Sequence, residues 1–169
     1  PAGVEPIEWT LLTTRPLRDY WDALQIVQIY KLRWIIEIFH MVIKEGYAVE
    51  ELQLHTAHRI QNAIALFSLA AIQITRLRYA SLFSPDTPLT QWGFKTLNYN
   101  LLALYLNQQY ADKIPLADEQ HPPSMQEFCK LIHRMGGGKR NQPVGIRSLW
   151  TGWHEAQIVW NTALLFYTG

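Results

Sequence analysis

A single cysteine, Cys129, stands among 169 residues, so the chain cannot form an internal disulfide. No charged and apolar leader of the secretory kind opens the sequence, and the setting expected is reducing and cytoplasmic. Long apolar runs are scarce as well. The longest, Ala63 to Ile74, is broken by Ser68 and Gln73 and is shorter than the ~20 residues a bilayer crossing needs. A soluble protein without a membrane partner is therefore expected. Excess charge is lacking too: the formal net charge is +1, which excludes polyanion binding driven by bulk charge. Any such affinity has to come from patches, and one segment is uneven. Arg134, Lys139, Arg140 and Arg147 follow one another with no acid between, just after Asp118 and Glu119. Internal repeats and low-complexity tracts are absent.

What is present is enough for one domain with a sizeable core, or for one domain and part of another. The segment Ile7 to Thr14 reads as a strand, followed by a break at Arg15-Pro16. A strand so close to Pro1 needs partners for its backbone groups, and the expectation is that these lie in an upstream region or in another copy of the chain. Asp19 is placed as the N-cap of a helix running from about Trp21 to Glu45, long enough for a kink near Ile29 and stopped at Gly46 by the left-handed preference of glycine. A second helix is expected from about Ala57 to Ala80, with Ile60, Ala63, Ile64, Phe67, Ala70, Ala71, Ile74 and Leu77 at helical spacing. Ser84-Pro85-Asp86-Thr87-Pro88 is turn chemistry and marks a subdomain boundary. Further helices are predicted over Leu97 to Gln108, Met125 to Met135 and Thr151 to Tyr167, with Gly136-Gly137-Gly138 ending the second of these. Pro143, Gly145, Trp150 and Trp153 read as a compact turn before the last.

Inside the first long helix, Tyr30, Arg33, Glu37 and Lys44 lie at offsets of three, seven and fourteen. At about 100° per residue they project to roughly −60°, −20° and −40° relative to Tyr30, which puts all four on one narrow face. The remaining arc carries Leu32, Trp34, Ile35, Ile36, Ile38, Phe39, Val42 and Ile43, the pattern of a helix packed on most sides. Two readings of the stripe stand side by side. Arg33 and Glu37, four apart, can be an ordinary exposed ion pair. Alternatively Arg33, Lys44 and the Tyr30 hydroxyl hold a phosphodiester while the Glu37 carboxylate binds a divalent cation, a combination suited to phosphoryl transfer.

The stretch Tyr30-Lys31-Leu32-Arg33-Trp34-Ile35-Ile36-Glu37-Ile38-Phe39-His40-Met41-Val42-Ile43-Lys44 resembles the Y-x2-R-x3-E-x6-K signature of DDE transposases of the insertion-sequence-four group, the Tn-five-like enzymes. All four signature positions are filled, and the Arg-Trp and Glu-x-Phe-His neighbours are similar as well. The likeness runs over most of the chain and weakens after residue 80. Arg134-Met135-Gly136-Gly137, Ser148-Leu149-Trp150 and Gly152-Trp153 look like the C-terminal region of the same enzymes. The resemblance implies a mainly α chain: residues 1–80 as the C-terminal part of a ribonuclease-H-like catalytic domain, with one residual strand, and 81–169 as a helical subdomain of dimerisation type. It implies cut-and-paste transposition of DNA by a bacterial enzyme with two magnesium or manganese ions held by three carboxylates. Glu37 matches the third carboxylate, and Tyr30, Arg33 and Lys44 match residues that grip the DNA backbone beside the cut. Trp9 precedes Leu11-Leu12-Thr13 and stands where these enzymes stack a tryptophan on a flipped base, although a strand aromatic packed under a sheet fits it too. The last helix is implied to join two copies into a homodimer.

The first two aspartates of the triad have no counterpart here, since Asp19 and Asp22 belong to a helix start. By itself the chain is expected to be catalytically silent. An alternative from another class is a non-catalytic helical module for DNA binding or oligomerisation. Among other candidates, His55-x2-His58 lacks a third ligand at a useful spacing and reads as a solvated pair. His40 projects to the edge of the apolar arc. Lys139-Arg140, after the glycines, can be a phosphate clamp or a solvated loop.

Overall fold

The computed structural model describes residues 8–167, with Tyr167 described by its backbone alone. Among these residues the protein is mainly α-helical: α1 (Tyr20–Met41), α2 (Ala57–Phe83), α3 (Thr96–Tyr110), α4 (Met125–Met135) and α5 (Ile146–Tyr167). A π-helical turn, Val42–Gly46, follows α1, and 3-10 turns occupy Val49–Glu51 and Leu89–Trp92. The chain divides between Glu37 and Ile38 into two compact units.

In the first unit the expected strand does not form among the described residues. Ile7 lies outside them, and 8–14 is irregular, with a bend at Thr14 and Leu12 almost fully exposed. A strand is held by a ladder to a neighbour, and no described segment offers one, so the residual strand of a ribonuclease-H-like sheet is not seen. The start of α1 follows expectation. Asp19 Oδ1 accepts the Asp22 amide at 2.8 Å, and Asp22 in turn accepts from the Arg18 amide and Nε at 3.0 and 3.1 Å. Those bonds hold the Asp22 carboxyl below its ordinary value. The helix continues through Ile29 without a break. Its apolar arc, expected to be packed on most sides, is packed in part: in the first unit Leu32, Trp34 and Ile36 are each more than half exposed, whereas in the second Ile38, Phe39 and Ile43 pack against the core and Val42 is fully buried. The short segment that accompanies α1 in its unit is too small to cover a wide apolar face.

The core of the second unit is built on α4. Ser124 and Glu127 form a reciprocal capping box, the Glu127 amide donating to Ser124 Oγ at 3.2 Å and the Ser124 amide to Glu127 Oε2 at 2.8 Å. At the other end the amides of Gly136, Gly137 and Gly138 donate to Ile132, Arg134 and His133 carbonyls, with Gly137 at φ 82°. Between these caps, Met125, Phe128, Cys129, Leu131, Ile132 and Met135 are buried. The helix α5 meets α4 backbone to backbone at two glycines: a Cβ on Gly152 would lie 1.8 Å from the Ile132 carbonyl oxygen, and one on Gly136 2.0 Å from that of Ser148. The start of α5 lies at Ile146 rather than Thr151. The Leu149 amide donates to the Gly145 carbonyl at 3.1 Å, which closes the first turn early and makes Trp150 and Trp153 helical residues rather than parts of a turn. Phe94, Phe128, Trp153 and Trp160 form an aromatic cluster, with Phe128 and Trp160 stacked at 6.1 Å.

Thr56 caps α2, whose second half buries Ala71, Ile74, Leu77 and Ala80 while Ile60, Ile64, Leu66 and Leu69 remain exposed. The whole helix, 27 residues, is long and apolar enough to cross a membrane, which the interrupted run Ala63–Ile74 did not suggest. The Arg78 guanidinium donates to the Val144 carbonyl and the Cys129 thiol to that of Leu77, so the turn at 84–88 lies inside one packed unit. Burial pushes the Cys129 thiol up to about 12. Gly46 ends the π turn, as expected of its position, but without a left-handed backbone. It sits against the Trp150 ring, 3.1 Å from where a Cβ would be, and the left-handed residue is Ala48, at φ 47°.

One buried ionisable group carries a pH dependence. His133 is 5 % exposed, and its Nδ1 bonds Ser148 Oγ, which donates to the Gly145 carbonyl at 3.0 Å. The Gly145 amide donates to the same Nδ1 at 3.5 Å, while Nε2 has no hydrogen-bond partner. Burial holds the imidazole below its ordinary 6.5, the Lys139 backbone opposes this, and Arg78 adds to it. As pH falls below 6.5 the unfolded chain therefore takes up this proton before the folded one, and stability is lost until the folded value is reached. His133→Gln is expected to flatten the fall of melting temperature over that window. An unaltered pH profile in the variant would mean that His133 titrates as freely in the folded chain as in the unfolded one.

Candidate nucleic-acid interface

Helical spacing brings three of the signature side chains together in the first unit. Arg33 Nη1 donates to Glu37 Oε1 one turn on, and the Arg33 guanidinium lies 5.6 Å from the centre of the Tyr30 ring. The Glu37 carboxylate, and to a lesser extent the Tyr30 hydroxyl, raises the guanidinium's already high value. Arg33 and Glu37 are both well exposed, with side-chain accessibilities of 52 % and 41 %. An exposed pair of this kind contributes little to stability, so either group can exchange its partner for a phosphate or a cation at small cost.

Trp9 lies edge-on to Tyr30, with ring centres 5.7 Å apart, and is 67 % exposed. Among the described residues the indole is open. With Leu11, Tyr30, Lys31, Arg33 and Trp34 it lines a mainly apolar hollow of about 480 Å³. A flat aromatic wall beside a guanidinium is suited to a planar ring next to a phosphate. The sequence singled out Trp9, Tyr30 and Arg33; the apolar share of Leu11 and Trp34 depends on how the 8–14 segment runs and was not foreseen.

Lys44 belongs to the second unit, where it pairs with Glu50 at 2.6 Å. It sits in the π turn, closed by the bond from the Tyr47 amide to the Val42 carbonyl at 3.1 Å. A π turn holds more residues than an α turn, so the 100° projection that placed Lys44 on the stripe does not apply to it. Within the first unit the face consists of Tyr30, Arg33 and Glu37.

As for metals, the described residues include no group of three or more His, Cys, Asp or Glu side chains placed to hold an ion. Asp19 and Asp22 are occupied at the start of α1. Glu37 supplies one carboxylate. His58 contacts Asn62 at 3.2 Å on the exposed first turns of α2, and His40, expected at a packed edge, is exposed beside Phe39. The glycine amides after α4 are all spent on its C-terminal carbonyls, so a clamp at Lys139-Arg140 has only side chains to work with. Near the end of α5, Leu165 and Phe166 are largely exposed while Trp160 is tied into the core, its Nε1 donating to the Asn98 carbonyl at 3.0 Å. No protein-family model matches the chain.

Proposed function

We propose that this chain is part of a DDE transposase acting on DNA, in which Glu37 is the third metal-binding carboxylate, Tyr30, Arg33 and Lys44 hold the sugar-phosphate backbone beside the cut, and Trp9 receives an unstacked base. The observation that carries the reading is the exposed Tyr30–Arg33–Glu37 group with Trp9 at its edge: a carboxylate, a guanidinium and two aromatic rings on an open surface. The guanidinium matches a phosphate bidentately, and the rings offer a stacking platform. The reaction class uses magnesium or manganese. Glu37 alone does not fit a two-ion site, so no metal-dependent step is assigned to these residues. In the same reading, Leu165 and Phe166 at the end of α5 belong to a homodimer contact, and the enzyme works in the bacterial cytoplasm.

The test is binding of the chain to a short duplex across a salt series. Arg33→Ala and Lys44→Ala should each weaken binding and make the dependence of log K on log salt shallower by about 0.9 for each phosphate no longer neutralised. Parent-like curves for both variants would leave the stripe with a structural role and favour the helical oligomerisation module.

A further inference from the structure

We infer that the end of α4 and the loop after it form a second surface for a nucleic-acid backbone, in which Asp112 presents Arg134 and Arg140, beside Lys139, to phosphate. This goes beyond the stripe reading, because it uses none of the same residues. From Glu127 to Glu155 the sequence holds no acid, yet it holds Lys130, Arg134, Lys139, Arg140 and Arg147. Partners for these cations come from elsewhere. Arg147 is matched by Glu45 at 2.7 Å. Arg134 and Arg140 share one carboxylate, donating to Asp112 at 3.2 and 2.8 Å. Two cations on one anion leave a net positive charge, and Lys139 adds another with no acid paired to it among the described residues.

The arrangement is built rather than incidental. Asp112 is 8 % exposed, so the acid lies beneath and Arg140, 60 % exposed, lies at the surface. Ala111 turns the chain in a left-handed conformation, φ 53°, to deliver Asp112 there, a backbone state that a residue with a Cβ adopts at a cost. Arg134 is further fixed by the Tyr110 ring, 4.6 Å from its guanidinium. Asp112 takes Nε of Arg134 and Nη2 of Arg140, and each planar fork has five N–H groups, so most donors of both remain for a second acceptor. Side chains already ordered lose little further entropy on binding, and guanidinium forks match phosphate oxygens in pairs. A polyanion with regularly spaced phosphates fits this surface.

The experiment uses the full 169-residue chain and a duplex of arbitrary sequence, with anisotropy read over a salt series. Lys139→Ala leaves both Asp112 pairs intact and should make the log K against log salt slope shallower by about 0.9, and Lys139→Ala/Arg140→Ala by about 1.8. Arg59→Ala/Lys95→Ala removes the same charge elsewhere and should leave the slope as in the parent. An unchanged slope in Lys139→Ala, an equal loss in the Arg59/Lys95 variant, or competition by polyglutamate as strong as by duplex at equal charge would each overturn the inference. Because the stripe is probed by Arg33 and Lys44 and this surface by Lys139 and Arg140, either can fail while the other stands. Melting curves of the double variant separate weakened phosphate binding from a disrupted fold.

Discussion

Gly152→Ala is expected to destabilise the second unit by about 3 kcal/mol or more, the upper part of the range for overpacked sites. A Cβ at this position would sit 1.8 Å from the Ile132 carbonyl oxygen and 2.8 Å from the Gly136 amide nitrogen. Both obstacles are backbone, so no side-chain rotation relieves them. The helix α5 would have to lift away from α4, and the buried faces of both would forfeit dispersion attraction along their length. For a protein of this size the loss corresponds to a fall in melting temperature of roughly 6–12 °C, measurable by circular dichroism. A variant melting with the parent would mean that the two helices are not held backbone against backbone.

Phe128→Ala should cost about 3–5 kcal/mol, the range for removing a large buried aromatic. Phe128 is fully buried, 4.8 Å from the Phe94 ring and stacked at 9° on Trp160, which itself meets Trp153 edge-on at 5.3 Å. Deleting the ring removes its transfer free energy and leaves a hole among three other aromatics that collapse poorly into it. Urea titration followed by tryptophan fluorescence reads both the stability and the loosening of Trp153 and Trp160. A shift of less than about 1 kcal/mol, the size of a conservative core change, would show that the cluster repacks.

Local signals in the sequence were the legible ones. Ser124 with Glu127 three residues on, and three glycines after Met135, placed both ends of α4, because capping is decided within a few residues. Asp19 marked the start of α1 for the same reason. The misses all depend on distant partners. A strand over 8–14 requires a ladder that no described residue provides, and the cover expected for Leu32, Trp34 and Ile36 likewise requires another surface. Trp150 and Trp153 looked like a turn because glycine and proline precede them, whereas Trp153 is buried in the core and Trp150 packs against it, both as residues of α5.

The candidate site divides along the same line. Tyr30, Arg33 and Glu37 came together because α-helical spacing puts them there. Lys44 fell into a π turn that the composition of Val42–Gly46 does not announce. Asp112 could not be singled out beforehand, since its two arginines lie 22 and more residues downstream and reach it only once α3 and α4 have packed.

The cysteine with which the sequence began has an experimental use. Only a thiolate attacks an alkylating reagent, and the Cys129 sulfur is sealed beneath α2, held 3.5 Å from the Leu77 carbonyl and 3.6 Å from Met125 Sδ. Labelling at this one sulfur must wait for α4 to come away from α2. The rate of iodoacetamide uptake is thus a built-in stopwatch for the opening of the helical core.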